Sequence, residues 1–164
     1  MAQSRTRNGI FLRMPGVFSL GNATTCATEA ILGSVKLDAD YLVSGAIITI
    51  ANGIIKSGAS STFTIKLYFN TSASLSGALQ MGTYSVVAAN TSPTIYRTFV
   101  FDSATTAKGL LSTANSSGDT ATVSSTSESY TFTSWLINGG YFFITGLRTS
   151  GTETLQLLKI TIEV

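Results

Sequence analysis

The stretch Phe63-Thr-Ile-Lys-Leu-Tyr-Phe69 alternates apolar and other side chains with a period of two residues. Successive side chains of a β-strand point to opposite faces, so its four odd-numbered apolar residues are expected to share one buried face. Thr64, Lys66 and Tyr68 are then expected on the other face. This pattern predicts a strand in a sheet that has one core face and one solvated face.

The same alternation extends to two further segments. In Thr94–Phe101 it places Ile95, Phe99 and Phe101 on one face together with Arg97. In the C-terminal segment, from Thr154 to Val164, the predicted inward residues are Leu158, Ile160, Ile162 and Val164. Both segments are therefore predicted to be half-buried strands.

Eight additional segments are strand candidates, with turn-forming Gly, Asn and Ser residues between them. They are Thr25–Ile31, Val35–Leu37, Ala46–Ile55, Tyr84–Ala88, Lys108–Ser112, Thr120–Ser125, Tyr130–Phe132 and Tyr141–Leu147. No window of about 12 residues carries an amphipathic helical pattern. Many short strands without intervening helices predict an all-β antiparallel β-sandwich, and we favour the jelly-roll type.

The composition leaves little titratable chemistry in a chain of one-domain length. Among 164 residues there are ten Lys and Arg, eight Asp and Glu, no His, and one Cys, Cys26. The sequence therefore contains no Ser-His-Asp triad, Cys-His pair, ordinary zinc site or intramolecular disulfide. We expect a protein that is not an enzyme and that uses no cofactor or metal.

Charge and hydropathy bear on the partners of the chain. A net charge of +2 is small for a nucleic-acid-binding domain, and no run of 18 apolar residues is present. We therefore expect neither nucleic acid nor membrane as a partner.

Asp38 and Asp40 form the only close carboxylate pair, and we interpret them as a polar turn because a calcium site needs further oxygen ligands.

The first 22 residues differ from the remainder. Their three arginines give this segment +3, whereas the seven basic and eight acidic residues of 23–164 give −1. We interpret 1–22 as a partly extended arm ahead of a single β-domain, 23–164; a surface tail or a first edge strand is the alternative. The residues predicted to anchor the arm are Arg5, Arg7, Ile10, Phe11, Leu12, Arg13, Val17 and Phe18.

Aromatic residues supply a second candidate site. The set considered for an oligomer interface or a glycan-stacking platform is Tyr96, Trp135, Tyr141 and Phe143. In the stretch Tyr141-Phe-Phe-Ile144, apolar side chains fall on both faces of the predicted strand. Such a strand is more often central in a sandwich, or covered by a neighbouring subunit, than a ligand platform.

Two segments of the sequence, taken together, resemble a known group of proteins. Val35-Lys-Leu-Asp-Ala-Asp-Tyr-Leu-Val-Ser-Gly-Ala-Ile-Ile-Thr-Ile-Ala-Asn-Gly53, followed by Ser61-Thr-Phe-Thr-Ile-Lys-Leu-Tyr-Phe69, resembles the jelly-roll domains of tailed-phage virion proteins. The later Trp135…Leu147 and Leu155–Val164 segments fit the same layout. The resemblance implies a non-enzymatic virion component, usually a homotrimer, made in the host cytoplasm and located on the capsid surface.

Within that group, the short lead of 22 residues favours a capsid decoration (cement) protein or a short head appendage over a complete tail fibre. The expected partners are further copies of the chain and the major capsid protein or another virion protein. A tail-fibre module that binds a receptor or host glycan, using the loop Asn115–Ser129 and exposed aromatics, is the first alternative. A small jelly-roll coat protein is the second.

Overall fold

The computed structural model describes residues 17–37, 44–45, 47–103, 105–109, 119–121, 128–131 and 139–163. Within these ranges the chain forms eleven β-strands in two antiparallel sheets and no helix. In the same ranges there is accordingly no helix of the length and apolar character needed to cross a membrane. The predicted all-β class with antiparallel sheets is confirmed.

The strands, in chain order, are β1 (Val17–Leu20), β2 (Ala30–Leu37), β3 (Ile47–Lys56), β4 (Phe63–Asn70), β5 (Leu79–Val86), β6 (Thr94–Phe101), β7 (Thr106–Gly109), β8 (Asp119–Ala121), β9 (Glu128–Thr131), β10 (Gly140–Arg148) and β11 (Leu155–Glu163). Six of them form one sheet in the order β1-β2-β10-β4-β5-β8. The other five form the second sheet in the order β11-β3-β6-β7-β9. In the described part of the chain, seven of the ten connections pass from one sheet to the other.

The core lies between the two sheets and follows the predicted alternation in β4 and β6. Phe63, Ile65, Leu67 and Phe69 are each at most 3% exposed. In β6 the inward set of Ile95, Arg97, Phe99 and Phe101 is also buried. These strands belong to different sheets, so their apolar faces meet across the sandwich and remove each other from water.

The predicted facing of β11 is wrong at Leu158, which is 53% exposed. Leu157 pairs with Ile54 and Lys159 pairs with Gly53, so one extra residue is inserted between the two pairs. A β-bulge of this kind reverses the alternation, because two residues of one strand oppose a single residue of the other. The inward residues are therefore Leu155 and Leu157 before the bulge, and Ile160 and Ile162 after it.

Two strand boundaries and one side-chain orientation also differ from the prediction. The expected strands Thr25–Ile31 and Val35–Leu37 are replaced by the single strand β2, and β5 begins at Leu79 rather than Tyr84. Cys26 interrupts the first of these segments with a φ of 48°, which is left-handed backbone. Tyr68, expected on the solvated face, is only 8% exposed.

Val17–Leu20, at the end of the predicted arm, forms the edge strand β1. Val17 pairs with Lys36 and Leu20 pairs with Gly33, so the sheet begins before residue 22. For residues 17–20 the structure therefore agrees with the alternative prediction, a first edge strand. Residues 1–16 lie outside the described ranges.

Two substitutions test the bulge in β11. Leu157→Asp places a charge at a position that is 1% exposed, so we expect it to lower the free energy of unfolding by more than about 4 kcal/mol or to prevent folding. Leu158→Asp, one residue further, should change it by less than about 0.5 kcal/mol because the side chain is exposed. Urea denaturation followed by circular dichroism measures both. The reverse ranking would contradict the bulge.

Candidate functional site

The three described residues of the aromatic set, Tyr96, Tyr141 and Phe143, do not lie on one sheet. Tyr96 lies on β6 of the five-stranded sheet and is 44% exposed, whereas Tyr141 and Phe143 lie on β10 of the six-stranded sheet. Phe143 is fully buried and stacks on Tyr68 at a centroid distance of 5.4 Å. Trp135 lies outside the described residues. Of the set, Tyr96 is the exposed aromatic that the described structure offers to a partner.

The predicted arm and the carboxylate pair are placed only in part. Six of the arm residues, Arg5, Arg7, Ile10, Phe11, Leu12 and Arg13, lie outside the described residues. Val17 and Phe18 lie in β1, opposite Lys36 and Val35. Asp38 and Asp40 also lie outside the described ranges.

Tyr96 belongs to an uncharged surface that we call the β3–β6 face. It consists of the outward residues of two neighbouring strands: Ile47, Thr49, Ala51, Gly53 and Ile55 of β3, and Thr94, Tyr96, Thr98 and Val100 of β6. Ile47 is 57% exposed and Ile55 is 39% exposed. An exposed surface with isoleucine and tyrosine but no charge among its nine residues is typical of a surface that another protein covers.

The β3–β6 face is uneven, because large and small side chains lie next to each other on it. Tyr96 lies directly opposite Ala51, and the next outward position of β3 is Gly53. A Cβ placed on Gly53 would have Lys159 Cβ at 4.0 Å as its nearest neighbour, so the space above Gly53 is open. Thr49 and Thr98 satisfy each other through a hydroxyl–hydroxyl hydrogen bond of 3.0 Å. The result is an aromatic ridge beside a shallow groove lined by small residues.

The outer surface of the other sheet carries a polar cluster around Glu29. Glu29 Oε1 accepts hydrogen bonds from Thr145 Oγ1 at 2.7 Å and Tyr68 OH at 2.9 Å, while Oε2 accepts one from Lys66 Nζ at 2.8 Å. Burial raises the pKa of Glu29, but these three hydrogen bonds outweigh it and hold the pKa below its ordinary value. The hydrogen bond to Glu29 raises the pKa of Lys66. The cluster ties the segment before β2 to β4 and β10.

A buried lysine holds one end of the sandwich together. Lys56 Nζ donates to the carbonyl oxygens of Ser61 at 2.8 Å, Val87 at 3.0 Å and Ala88 at 2.7 Å. These three bonds use all the donors of an ammonium group, which is how a charge on a side chain only 4% exposed is tolerated. Burial lowers the pKa of Lys56. Lys56 thereby joins the connection that follows β3 to the connection that follows β5.

Glu153 fixes the same connection from the other side. Its carboxylate accepts hydrogen bonds from the backbone N–H and hydroxyl of Ser60, at 2.8 and 2.9 Å, and from the backbone N–H of Ser61. The backbone hydrogen bond from Ser60 contributes most to lowering the pKa of Glu153 to about 2, against a smaller opposing effect of burial. A carboxylate held in this way is an acceptor for the loop rather than a proton donor at neutral pH.

A third buried contact joins the two sheets. Arg97 Nη2 on β6 donates to Tyr130 OH on β9 at 2.9 Å, and Tyr130 OH donates to Met81 O on β5 at 3.0 Å. Arg97 is 6% exposed, and Tyr130 packs edge-on against Phe99 at 5.9 Å. The hydrogen bond between the sheets is therefore made by Tyr130, and the inward guanidinium of Arg97 supports Tyr130 from within its own sheet.

A cleft opens at one end of the sandwich, where the sequence indicated no site. Its volume is about 710 Å³, and it is lined by Phe69, Asn70, Thr71, Gly77, Ala78, Leu79, Thr105 and Thr131. The first six belong to β4, β5 and their connection, and the two last threonines come from the five-stranded sheet and its connection. Asn70 Nδ2 donates to Ser74 O and Ser76 O and so shapes the rim. The named lining is uncharged, with hydroxyl groups and an apolar base.

The pH dependence of stability tests the role of Glu153. Because its folded pKa of about 2 lies below the ordinary 4.5, the unfolded chain binds a proton first as the pH falls. The stabilisation is therefore complete above about pH 4.5 and is lost as the pH falls towards 2. We expect Glu153→Gln to flatten the fall in unfolding free energy across this window, measured by urea denaturation at several pH values.

Ser60→Ala is the matched control for Glu153→Gln. It removes the hydroxyl hydrogen bond to Glu153 but keeps both backbone donors, so the flattening should be smaller. Glu29→Gln should act in the same direction, because the pKa of Glu29 is also lowered. A slope in Glu153→Gln equal to that of the unsubstituted chain would contradict the assigned role.

Comparison with protein-family models, with curated proteins and with solved structures found no match to this chain. Its function is therefore argued from its own surfaces. Three of these surfaces are the β3–β6 face, the Glu29 cluster and the end cleft. The Glu29 cluster is internally satisfied, so the β3–β6 face and the cleft are the candidates for contact with another molecule.

Proposed function

We propose that this chain is a non-enzymatic structural protein of a tailed-phage virion, a capsid decoration (cement) protein or a short head appendage. The observation that carries the proposal is the uncharged β3–β6 face, in which Ile47 and Tyr96 are 57% and 44% exposed. A surface of this kind suits contact with another protein, because covering it removes apolar area from water without stripping charges of their hydration.

The use of the charged side chains supports the same proposal. Glu29, Lys66, Lys56, Glu153 and Arg97 each hold connections or sheets through short hydrogen bonds. These contacts make the sandwich rigid, which is useful in a protein whose work is to stay attached to a particle. These hydrogen bonds use the five named charged side chains to maintain the fold, and the five do not converge on one site.

The finer parts of the proposal are a jelly-roll type of sandwich, a homotrimer, and attachment to the capsid surface. The jelly-roll part is supported by the late strand β10, which lies between β2 and β4, since return of a late strand beside an early one is typical of Greek-key connections. The partners are other copies of this chain and the major capsid protein or another virion protein. The basic residues of 1–16 contact the shell.

Deletion of residues 1–16 tests the role of the arm. It removes Arg5, Arg7 and Arg13 but leaves β1 paired with β2, so the truncated protein should fold and self-associate normally. Electron microscopy of particles assembled with each form should show the full chain on the capsid and the truncated chain absent from it.

Deletion of residues 1–4 is the control, because it keeps all three arginines and should preserve attachment. A full-length chain that never associates with particles would contradict the virion role. A 1–16 deletion that still decorates particles would contradict only the arm.

The end cleft favours a second candidate, a module that binds a host glycan. Hydroxyl groups of Thr71, Thr105 and Thr131 over an apolar base suit a neutral saccharide, and about 710 Å³ accommodates a short oligosaccharide. Under this proposal Ala78→Trp, which fills the cleft, should abolish binding to a panel of neutral oligosaccharides measured by calorimetry. Ser85→Trp, at an exposed position of β5, should not. Absence of binding by the unsubstituted chain would eliminate the candidate.

A further inference from the structure

The β3–β6 face has a size pattern that is complementary to itself. Its cross-strand pairs are Ile47–Val100, Thr49–Thr98, Ala51–Tyr96 and Gly53–Thr94. In the last two pairs the larger side chain stands on β6 and the smaller residue on β3. A ridge on one strand is therefore matched by a groove on its neighbour, one strand spacing of about 4.8 Å away.

We infer that two copies of this chain pack face to face through the β3–β6 face, about a two-fold axis that runs parallel to the strands and midway between β3 and β6. This inference rests on the proposed function, in which copies of the chain associate, and it names the contact surface. The rotation places β3 of each copy over β6 of the other. Each residue then lies over its own cross-strand partner in the second copy, with Tyr96 over Ala51.

This arrangement satisfies the rule for an isologous contact, in which residue i meets residue j and j meets i. Each Tyr96 ring lies over Ala51 of the other copy and beside Gly53, above which the space is open. The two sheets stack with aligned strands, which is the commoner way in which sheets pack face to face. The contact closes on itself: ridge meets groove at Tyr96 and Ala51, and two apolar side chains meet at Ile47 and Val100.

The flanking charges permit the same arrangement. Lys159 pairs with Gly53 on one side of β3, and Lys108 pairs with Val100 on the far side of β6. The rotation brings β11 of one copy over β7 of the other, where these lysines lie about 20 Å apart along the strands. That separation exceeds the Debye length of about 8 Å at physiological ionic strength, so their repulsion is screened. Lys108 also has Asp102 at 3.3 Å.

A second copy fits this face better than a charged partner does. A charged side chain over Tyr96 or Ile47 would lose hydration without finding a counter-ion among the nine residues of the face. The overlapping strands β11, β3, β6 and β7 have 9, 10, 8 and 4 residues, and together they cover a flat area on the order of 500 Å² per copy. A stable interface usually covers about 800 Å² per partner, so we expect a contact that dissociates on dilution.

Sedimentation measures the contact directly. Each chain has a mass of 17.2 kDa, and the inference requires even numbers of copies: dimers, or pairs of trimers if the three-fold association also exists. Tyr96→Glu and Ala51→Glu should each halve the mass at a concentration where the unsubstituted chain is associated. Ser85→Glu, at an exposed position on the other sheet, should leave it unchanged.

Cross-linking between differently substituted copies tests the pairing itself. A mixture of Ala51→Cys and Tyr96→Cys proteins treated with a short bismaleimide should give a covalent heterodimer. A mixture of Ser85→Cys and Tyr96→Cys proteins should give no covalent heterodimer of the two variants. Circular dichroism of each variant confirms that it is folded.

Two outcomes would overturn the inference: an unsubstituted chain that stays monomeric or only trimeric up to millimolar concentration, or a mass that Tyr96→Glu and Ala51→Glu do not change. A chain that is only trimeric would leave the proposed virion role intact, whereas a monomer that still decorates particles would remove self-association and keep the capsid contact. Failure of particle attachment in an even-numbered assembly would contradict the virion role alone.

Discussion

The packing of the two inner sheet faces against each other is the constraint on which the rest of this structure depends. Each inner face must be mainly apolar, with buried polar side chains such as Arg97 hydrogen-bonded, and a strand with period-two side chains can meet that demand in only one phase. β10 shows this constraint in a single strand. It pairs with β2 on one edge and with β4 on the other, and the ring of its inward Phe142 lies 5.1 Å from the ring of the inward Phe69 of β4, measured between centroids. Where pairing and facing conflict, the strand inserts a residue. The extra residues are Met81 in β5, opposite the step from Leu67 to Tyr68, and Leu158 in β11, opposite the step from Gly53 to Ile54.

The same constraint explains where the charged groups lie. A sandwich with seven crossings between its sheets has many connections at its ends, and each leaves backbone carbonyl and N–H groups that need partners. Lys56 supplies three donors to carbonyls, and Glu153 supplies acceptors to N–H groups, so two side chains satisfy much of one end. Lys56 and Glu153 are two of the 18 charged residues of the chain, and both serve to satisfy backbone groups.

The sequence predicted the features that depend on local alternation. The inward sets of β4 and β6, the all-β class and the presence of strands at Ile47–Lys56 and Gly140–Arg148 follow from side-chain period and turn residues. The exposure of Leu158 did not follow, because a bulge depends on the register with β3 rather than on the residues of β11 alone. The division at Ala30–Leu37 failed for a similar reason. Gly33 lies in a ladder between Leu20 and Ile144, and sheet pairing outweighs its local preference.

The sequence could identify single exposed residues of a candidate site, but it could not show which residues lie together. Tyr96 could be named as an exposed aromatic, but its grouping with Tyr141 and Phe143 failed because strands that look alike in sequence lie on opposite sheets. The end cleft is formed by β4, β5 and their connection together with Thr105 and Thr131, which are far away in the chain, so no local pattern marked it.

The two outer faces of the sandwich differ, and that difference is the strongest argument about function. On the six-stranded sheet, outward residues near β10 are already buried: Phe143 and Thr145 are 0% exposed and Tyr68 is 8% exposed. On the five-stranded sheet, Ile47 and Tyr96 stand in water with no charge beside them on β3 or β6. This difference supports the proposal that a second molecule covers the β3–β6 face, because covering it would remove Ile47 and Tyr96 from water.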